Sequence, residues 1–256
     1  MIRVAAVADL HYGHEPTRTS FDGLKGKADI LFICGDLTHH GSVDEARALA
    51  RDLEDLPLPV VVVFGNHDFH QNRQKEIETI LADAGVTVLE GASAVFTIRG
   101  SRVGIAGLKG FGGGYFGACV TEFGEQETKD FARHGRNQAQ LLGSVLSQLD
   151  TDFRFVLTHF SPVEGTLEGE PREIYPFLGS YLLAEAIDNA GADAAFHGHA
   201  HRGVEKGVTR SGIPVRNVAR SVIRHSYHIY TFDRTFADRV RFAEASVSPP
   251  GRILGP

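Results

Sequence analysis

The chain has 256 residues, 42% of them hydrophobic and 23% charged, which is the composition of a globular protein with a sizeable core and excludes fibrous, disordered and low-complexity classes. A formal charge of −6 repels long polyanions, so nucleic acid and anionic membrane surfaces are disfavoured partners. Thirteen histidines, against one methionine and no tryptophan, are the unusual feature, and their placement decides the reading.

In chain order, the short apolar run 4–8 predicts a strand buried on both faces, and it ends in Asp9-Leu10-His11. A second run, 30–34, contains Cys34 and is followed by Gly35-Asp36. Ser42 and Glu45 have the spacing of a capping box and open a helix over 43–53. The run 60–64 leads into Gly65-Asn66-His67-Asp68, and apolar spacing predicts a helix over 71–84. Segments 94–99 and 102–106 alternate as half-covered strands do, and the glycine-rich stretch 109–117 reads as a mobile loop. A helix over 138–149, a strand over 153–158 and His159 follow. A helix over 178–189 precedes a strand over 192–196 and the motif Gly198-His199-Ala200-His201. Strands over 213–218 and 227–232 close the pattern, which implies an α/β fold of two face-to-face sheets with helices outside. No Pro-rich or polar linker divides the chain, so one domain is expected over 1–246, with a tail over 247–256.

The polar clusters share one feature: each follows directly on an apolar run. Ligands in α/β sheets bind beyond the carboxyl ends of strands, so five such clusters are expected to converge on one crevice. Asp-x-His and His-x-His put two donors on the same side of an extended segment. Two carboxylates, four imidazoles and one amide exceed what a single tetrahedral ion accepts, and mixed nitrogen and oxygen donors suit divalent first-row metals. Two ions with a shared carboxylate, most simply Asp36, are the resulting expectation.

The ordered set Asp-x-His, Gly-Asp, Gly-Asn-His-Asp, His and Gly-His-x-His resembles that of calcineurin-like metallophosphoesterases and spans Asp9 to His201. The resemblance implies a four-layer α/β/β/α sandwich of two mixed sheets flanked by helices. It further implies that Asp9, His11 and His201 hold a first divalent ion, Asn66, His159 and His199 a second, and Asp36 both. The metals are drawn from Mn, Fe, Zn, Co and Ni. The implied chemistry is in-line attack on phosphorus by a hydroxide held between the ions, with His67 as proton donor and Asp68 orienting its imidazole. The implied substrate is a small phosphate ester, with phosphodiesters and cyclic nucleotides ahead of monoesters. A nuclease of the same superfamily, or a metal-binding interaction module without catalysis, is the alternative.

Several departures narrow the branch. Leu37-Thr38 after Asp36 and Asp68 after His67 differ from the protein serine/threonine phosphatases, and His39 stands where purple acid phosphatases have a metal-binding tyrosine. The bacterial phosphodiesterase-like branch remains. His39 is a candidate substrate-facing residue, and Tyr115 or Phe116 is expected to reach over the cleft and stack on a substrate ring. His14 and His70 trail the ligand motifs; His134, His225 and His228 read as surface or strand residues, and His197 as a packing residue. Two cysteines cannot make a disulfide framework and the N-terminal apolar run is too short for a leader or a span, so a cytoplasmic protein with no membrane partner is expected. Nothing in the sequence specifies an oligomeric state.

Overall fold

A computed structural model describes residues 1–14, 21 and 23–233. The expected tail over 247–256 therefore lies outside the described residues. The strands are β1 (Ile2–Val7), β2 (Ile30–Cys34), β3 (Val60–Val63), β4 (Thr87–Val88), β5 (Ala92–Ile98), β6 (Ser101–Gly107), β7 (Gly114–Tyr115), β8 (Ala118–Cys119), β9 (Phe153–Leu157), β10 (Ala194–His197), β11 (Lys206–Val208), β12 (Pro214–Asn217) and β13 (His228–Phe232). The α-helices are α1 (Val43–Leu53), α2 (Gln74–Asp83), α3 (Gln126–Ser147), α4 (Tyr175–Leu178), α5 (Tyr181–Ala190) and α6 (Arg220–Ile223).

Two large mixed sheets carry the fold, one ordered β13-β1-β2-β3-β4 and the other β11-β12-β10-β9-β6-β5. In the first, β1 to β4 run parallel and β13 is antiparallel at the edge. In the second, β6, β9, β10 and β12 run parallel, with β5 and β11 antiparallel at the two edges. The continuous apolar runs are the parallel strands covered on both faces, and the alternating runs 94–99 and 227–232 are the half-exposed antiparallel edges β5 and β13. Between the sheets Phe32, Phe155 and Phe196 meet edge to face, with ring centroids 5.6–6.3 Å apart. On the outer face of the second sheet, Leu142 and Leu146 of α3 and Leu183 and Ile187 of α5 bury against Ala106, Val156 and Ala195. Ala46, Leu49 and Leu53 of α1 close the core on the other side.

The capping box is formed: the Glu45 amide donates to the Ser42 hydroxyl and the Ser42 amide to the Glu45 carboxylate, both at 3.3 Å. Two expectations need correction. Helix α3 begins twelve residues before the expected position 138, because its first half is polar and its apolar stripe is carried by Ala132, Gly135 and Ala139 before the leucines. Segment 109–117 is an ordered structure: β7 pairs with β8, and the amides of Gly113 and Gly114 donate to the carbonyls of Pro176 and Gly179.

Candidate metal centre

β1, β2, β3, β9 and β10 end at one rim, and the next residues supply the site. Asp9 and His11 follow β1, Asp36 follows β2, Asn66 and His67 follow β3, His159 follows β9, and His199 and His201 follow β10. Asp9, His11, Asp36 and His201 each present a ligand atom within 4.8 Å of the others, as do Asp36, His159 and His199. Asp36 belongs to both of these, and a third such group, His11, His39 and His67, shares His11 with the first. The Asn66 carbonyl oxygen lies 3.0 Å from His159 Nε2 and joins the second group.

Local backbone geometry is bent to make this convergence. Asp9, His11, Asp36 and His199 have φ values of +59°, +48°, +49° and +69°, so four of the seven non-glycine residues with positive φ among the described residues are candidate donors. L-residues resist this region, and such strain accumulates where function holds it. Gly35 and Gly65 allow close approach: a Cβ at Gly35 would strike the His159 ring, and one at Gly65 the Asp36 carboxylate.

The donor set fits divalent ions. Asp9 and Asp36 are 5% and 1% exposed, and imidazoles rather than lysine or arginine face them. Two buried carboxylates without a cation are costly to hold together. Burial opposes ionisation of Asp36, yet the neighbouring His159 and His67 hold its carboxyl well below the usual carboxylate range. His159 responds in kind: burial pulls it down, but Asp36 and then Asp9 raise it to about 9. His11 and His199 are each lowered to about 4, chiefly by burial, which keeps them neutral and ready to donate a lone pair.

Backbone carbonyls orient the imidazoles. His159 donates from Nδ1 to the Cys34 carbonyl at 2.9 Å, which turns Nε2 to the cluster. His199 donates from Nε2 to the Phe177 carbonyl at 3.1 Å, leaving Nδ1 for a ligand. Such outer contacts set the tautomer of ligating histidines. These carbonyl partners leave no trace in sequence, since every residue type carries the same carbonyl.

His67 stands at the edge of the cluster, its Nε2 3.9 Å from Asp36 Oδ2 and its ring centroid 4.6 Å from that of His11. Its Nδ1 donates to the His39 carbonyl at 2.7 Å. This corrects the expected role of Asp68. The buried Asp68 carboxylate instead accepts from the amides of Leu37, Thr38 and Gly65 and from the Thr38 hydroxyl, tying the loop after β2 to the loop after β3. Burial, and then the charge on Asp36, pushes its carboxyl up to about 6. His39 faces the cleft with its ring 5.3 Å from His67 and 5.5 Å from His11, and its buried Nδ1 has no hydrogen-bond partner.

Tyr115 is the second correction. It is 3% exposed, packs with Leu167, Tyr175 and Leu178, and donates its hydroxyl to the Ser161 carbonyl at 2.8 Å, so it serves the core and not a substrate ring. The hairpin turn instead exposes Phe116, whose ring lies 4.6 Å from Tyr181. His197 is buried and shares hydrogen bonds with Thr166 and Ser161, while His134, His225 and His228 are exposed.

The sequence and the fold have counterparts among known proteins. A probable glycerophosphodiester phosphodiesterase of Arcobacter nitrofigilis is 30% identical over 70 residues, 27% of this chain and 26% of that protein's length. A probable cyclic nucleotide phosphodiesterase of Ruthia magnifica is 22% identical over 194 residues, 73% of this chain and 67% of the relative. The crystal structure of the phosphopantetheinyl hydrolase of Mycobacterium tuberculosis shares the fold, with a TM-score of 0.70 at 17% identity, covering 90% of this chain and 96% of that one. The family model for calcineurin-like phosphoesterases matches residues 2–203, a span that includes all seven candidate donors. The chain belongs to the calcineurin-like phosphoesterase family, a family of phosphoric ester hydrolases.

Proposed function

We propose that the chain hydrolyses a small phosphate ester at a centre of two divalent metal ions, with phosphodiesters and cyclic nucleotides preferred over monoesters. One observation carries this reading: Asp36 belongs to both donor groups, as a carboxylate shared by two adjacent ions requires. Asp9, His11, Asp36 and His201 would hold one ion, and Asp36, Asn66, His159 and His199 the other. When bound, such ions supply Lewis acidity that acidifies water and neutralises phosphate oxygens. Mn, Fe, Zn, Co and Ni all suit this mixture of nitrogen and oxygen donors.

The protein's own contribution to bond cleavage rests on His67. With Nδ1–H committed to the His39 carbonyl, the ring in its protonated form directs the Nε2 proton toward the cluster, where a departing alkoxide needs it. Asp68 acts at one remove, holding the loop that carries Asp36 against the loop that carries His67. His39 lines the same edge and is placed to meet the leaving group.

The preference for diesters is supported by the names of the relatives, probable phosphodiesterases in both cases, and the preference for a small ester over a polymer by the acidic balance. Cys34 and Cys119 are unpaired, as suits a reducing cytoplasm, and no described helix is long and apolar enough to cross a membrane. The test is metal analysis of the purified protein, followed by a panel of phosphomonoesters, cyclic nucleotides, phosphodiesters and diphosphates with added manganese. Turnover of a diester dependent on tightly held metal is expected; metal without turnover of any ester would leave a binding protein, and cleavage confined to DNA or RNA a nuclease.

A further inference from the structure

Lys109, the second residue after β6, is 9% exposed, and no carboxylate lies within ion-pair distance of its ammonium among the described residues. Its Nζ donates to the Gly110 carbonyl at 3.1 Å and otherwise faces three aromatic rings, with the centroids of Phe69, Phe111 and Phe160 at 5.1, 5.1 and 5.0 Å. Burying an ammonium is expensive, and cation–π attraction to three faces adds to the compensation from the Gly110 carbonyl and from the charges of Glu90, whose carboxylate accepts the Lys109 backbone amide at 3.3 Å, and of Asp36. The rings belong to segments that matter. Phe69 ends the short 3₁₀ turn His67–Phe69, and Phe160 follows His159. The Lys109 carbonyl also accepts the amides of His159 and Phe160, at 2.9 and 3.1 Å.

The segment carrying His159 is therefore fastened to Lys109 twice over through its backbone, whereas the His67–Phe69 turn meets Lys109 only through the Phe69 ring. We propose that Lys109 is a positioning residue for His67: its ammonium clamps Phe69 against Phe160 and so sets the proton donor's turn relative to the metal ligands. The inference rests on His67 as proton donor. Removing the charge leaves the backbone contacts to His159 in place and withdraws from the turn its hold on Phe69, leaving the hydrogen bonds of His67 and Asp68, so proton delivery suffers while the metal donors keep their backbone positions.

The experiment compares wild type, Lys109→Met, Lys109→Arg, Phe69→Leu and His67→Ala on phenyl phosphodiesters graded from p-nitrophenyl to unsubstituted phenyl, with metal content measured for each. A p-nitrophenolate leaves without a proton, and an unsubstituted phenolate gains from one. Lys109→Met should keep wild-type metal content and lose on the order of tenfold more turnover on the phenyl ester than on the p-nitrophenyl ester. Phe69→Leu should reproduce that selectivity with the lysine intact, and Lys109→Arg, which retains a cation over the rings, should restore the wild-type pattern. An equal effect of Lys109→Met on both esters, or a fall in its metal content, overturns the proposal. His67→Ala separates the two readings: if it too acts equally on all esters the proton-donor role fails, and if it alone is selective only the role of Lys109 fails.

Discussion

His67 turns its Nδ1 onto the backbone carbonyl of His39 at 2.7 Å, so the orientation of the candidate proton donor depends on a main-chain atom of a neighbouring loop. The side chain of His39 is not needed for that contact. His67→Ala should lower turnover by about 10²–10⁴ with metal content unchanged, as for loss of a general acid. His39→Ala, which keeps the carbonyl, should cost less than His67→Ala in the same assay. A wild-type rate in His67→Ala would remove it from the reaction.

Asp36 and Asn66 should differ in what they release. Asp36→Ala removes the donor common to both groups, so bound metal should fall for both positions. Asn66→Ala removes one donor from the second group, and about half the metal should remain after dialysis. Elemental analysis against protein concentration decides, and full metal retention in Asp36→Ala would rule out a shared ligand.

Asp68→Ala should be a stability variant before it is a kinetic one. It would leave the amides of Leu37, Thr38 and Gly65 without their acceptor in a buried site. A cost of about 3–5 kcal/mol is expected in urea unfolding, since each buried donor left without an acceptor costs about 1–3 kcal/mol. Asp68→Asn, which retains one acceptor oxygen, should lose less.

Tyr115→Ala should act on the fold as well. The ring is buried with Leu167 and Leu178, and truncation should destabilise by about 3–5 kcal/mol while KM for nucleotide esters stays near the wild-type value. A selective rise in KM for aromatic substrates with unchanged stability would return Tyr115 to the cleft.

Asp29 gives a pH-dependent prediction remote from the metals. Burial opposes its ionisation, but hydrogen bonds from the Arg3 side chain and amide and from Arg99 outweigh it and hold the carboxyl at about 2. A depressed carboxylate contributes stability above its unfolded value near 3.9 and loses it as pH falls through its folded value. Asp29→Asn should therefore be less stable than wild type by about 1–2 kcal/mol at pH 7, once screening of the half-exposed Arg99 is allowed for, and the gap should close as pH falls from about 4 to 2. Denaturation curves over that range measure it; a gap independent of pH would place the effect in packing.

Much of the architecture is legible along the chain because burial on two faces demands unbroken apolar runs. Residues 30–34 and the helix 43–53 match β2 and α1 to the residue, since Gly35 and the Ser42–Glu45 box punctuate them. Helix α3 is half-hidden because alanine and glycine, not leucine, carry its first buried turns. The hairpin β7–β8 is hidden because glycines that signal a loose loop here permit close packing on residues 176–179.

By itself the sequence determined which residues are candidate donors, for a donor placed immediately after a buried strand has one end of a sheet to go to. Histidine, aspartate and asparagine clusters placed directly after five apolar runs point to a metal site, whereas the overall charge of −6 says nothing of it. The tertiary structure alone decided how those donors are aimed. The left-handed bends at Asp9, His11, Asp36 and His199 are backbone geometry, the carbonyls of Cys34, His39 and Phe177 that fix the imidazoles lie 22 to 125 residues from them, and the ring cage around Lys109 draws Phe69 and Phe160 from distant loops. Backbone carbonyls are the same for every residue type, and cages form only once distant loops meet, so neither can be read along the chain.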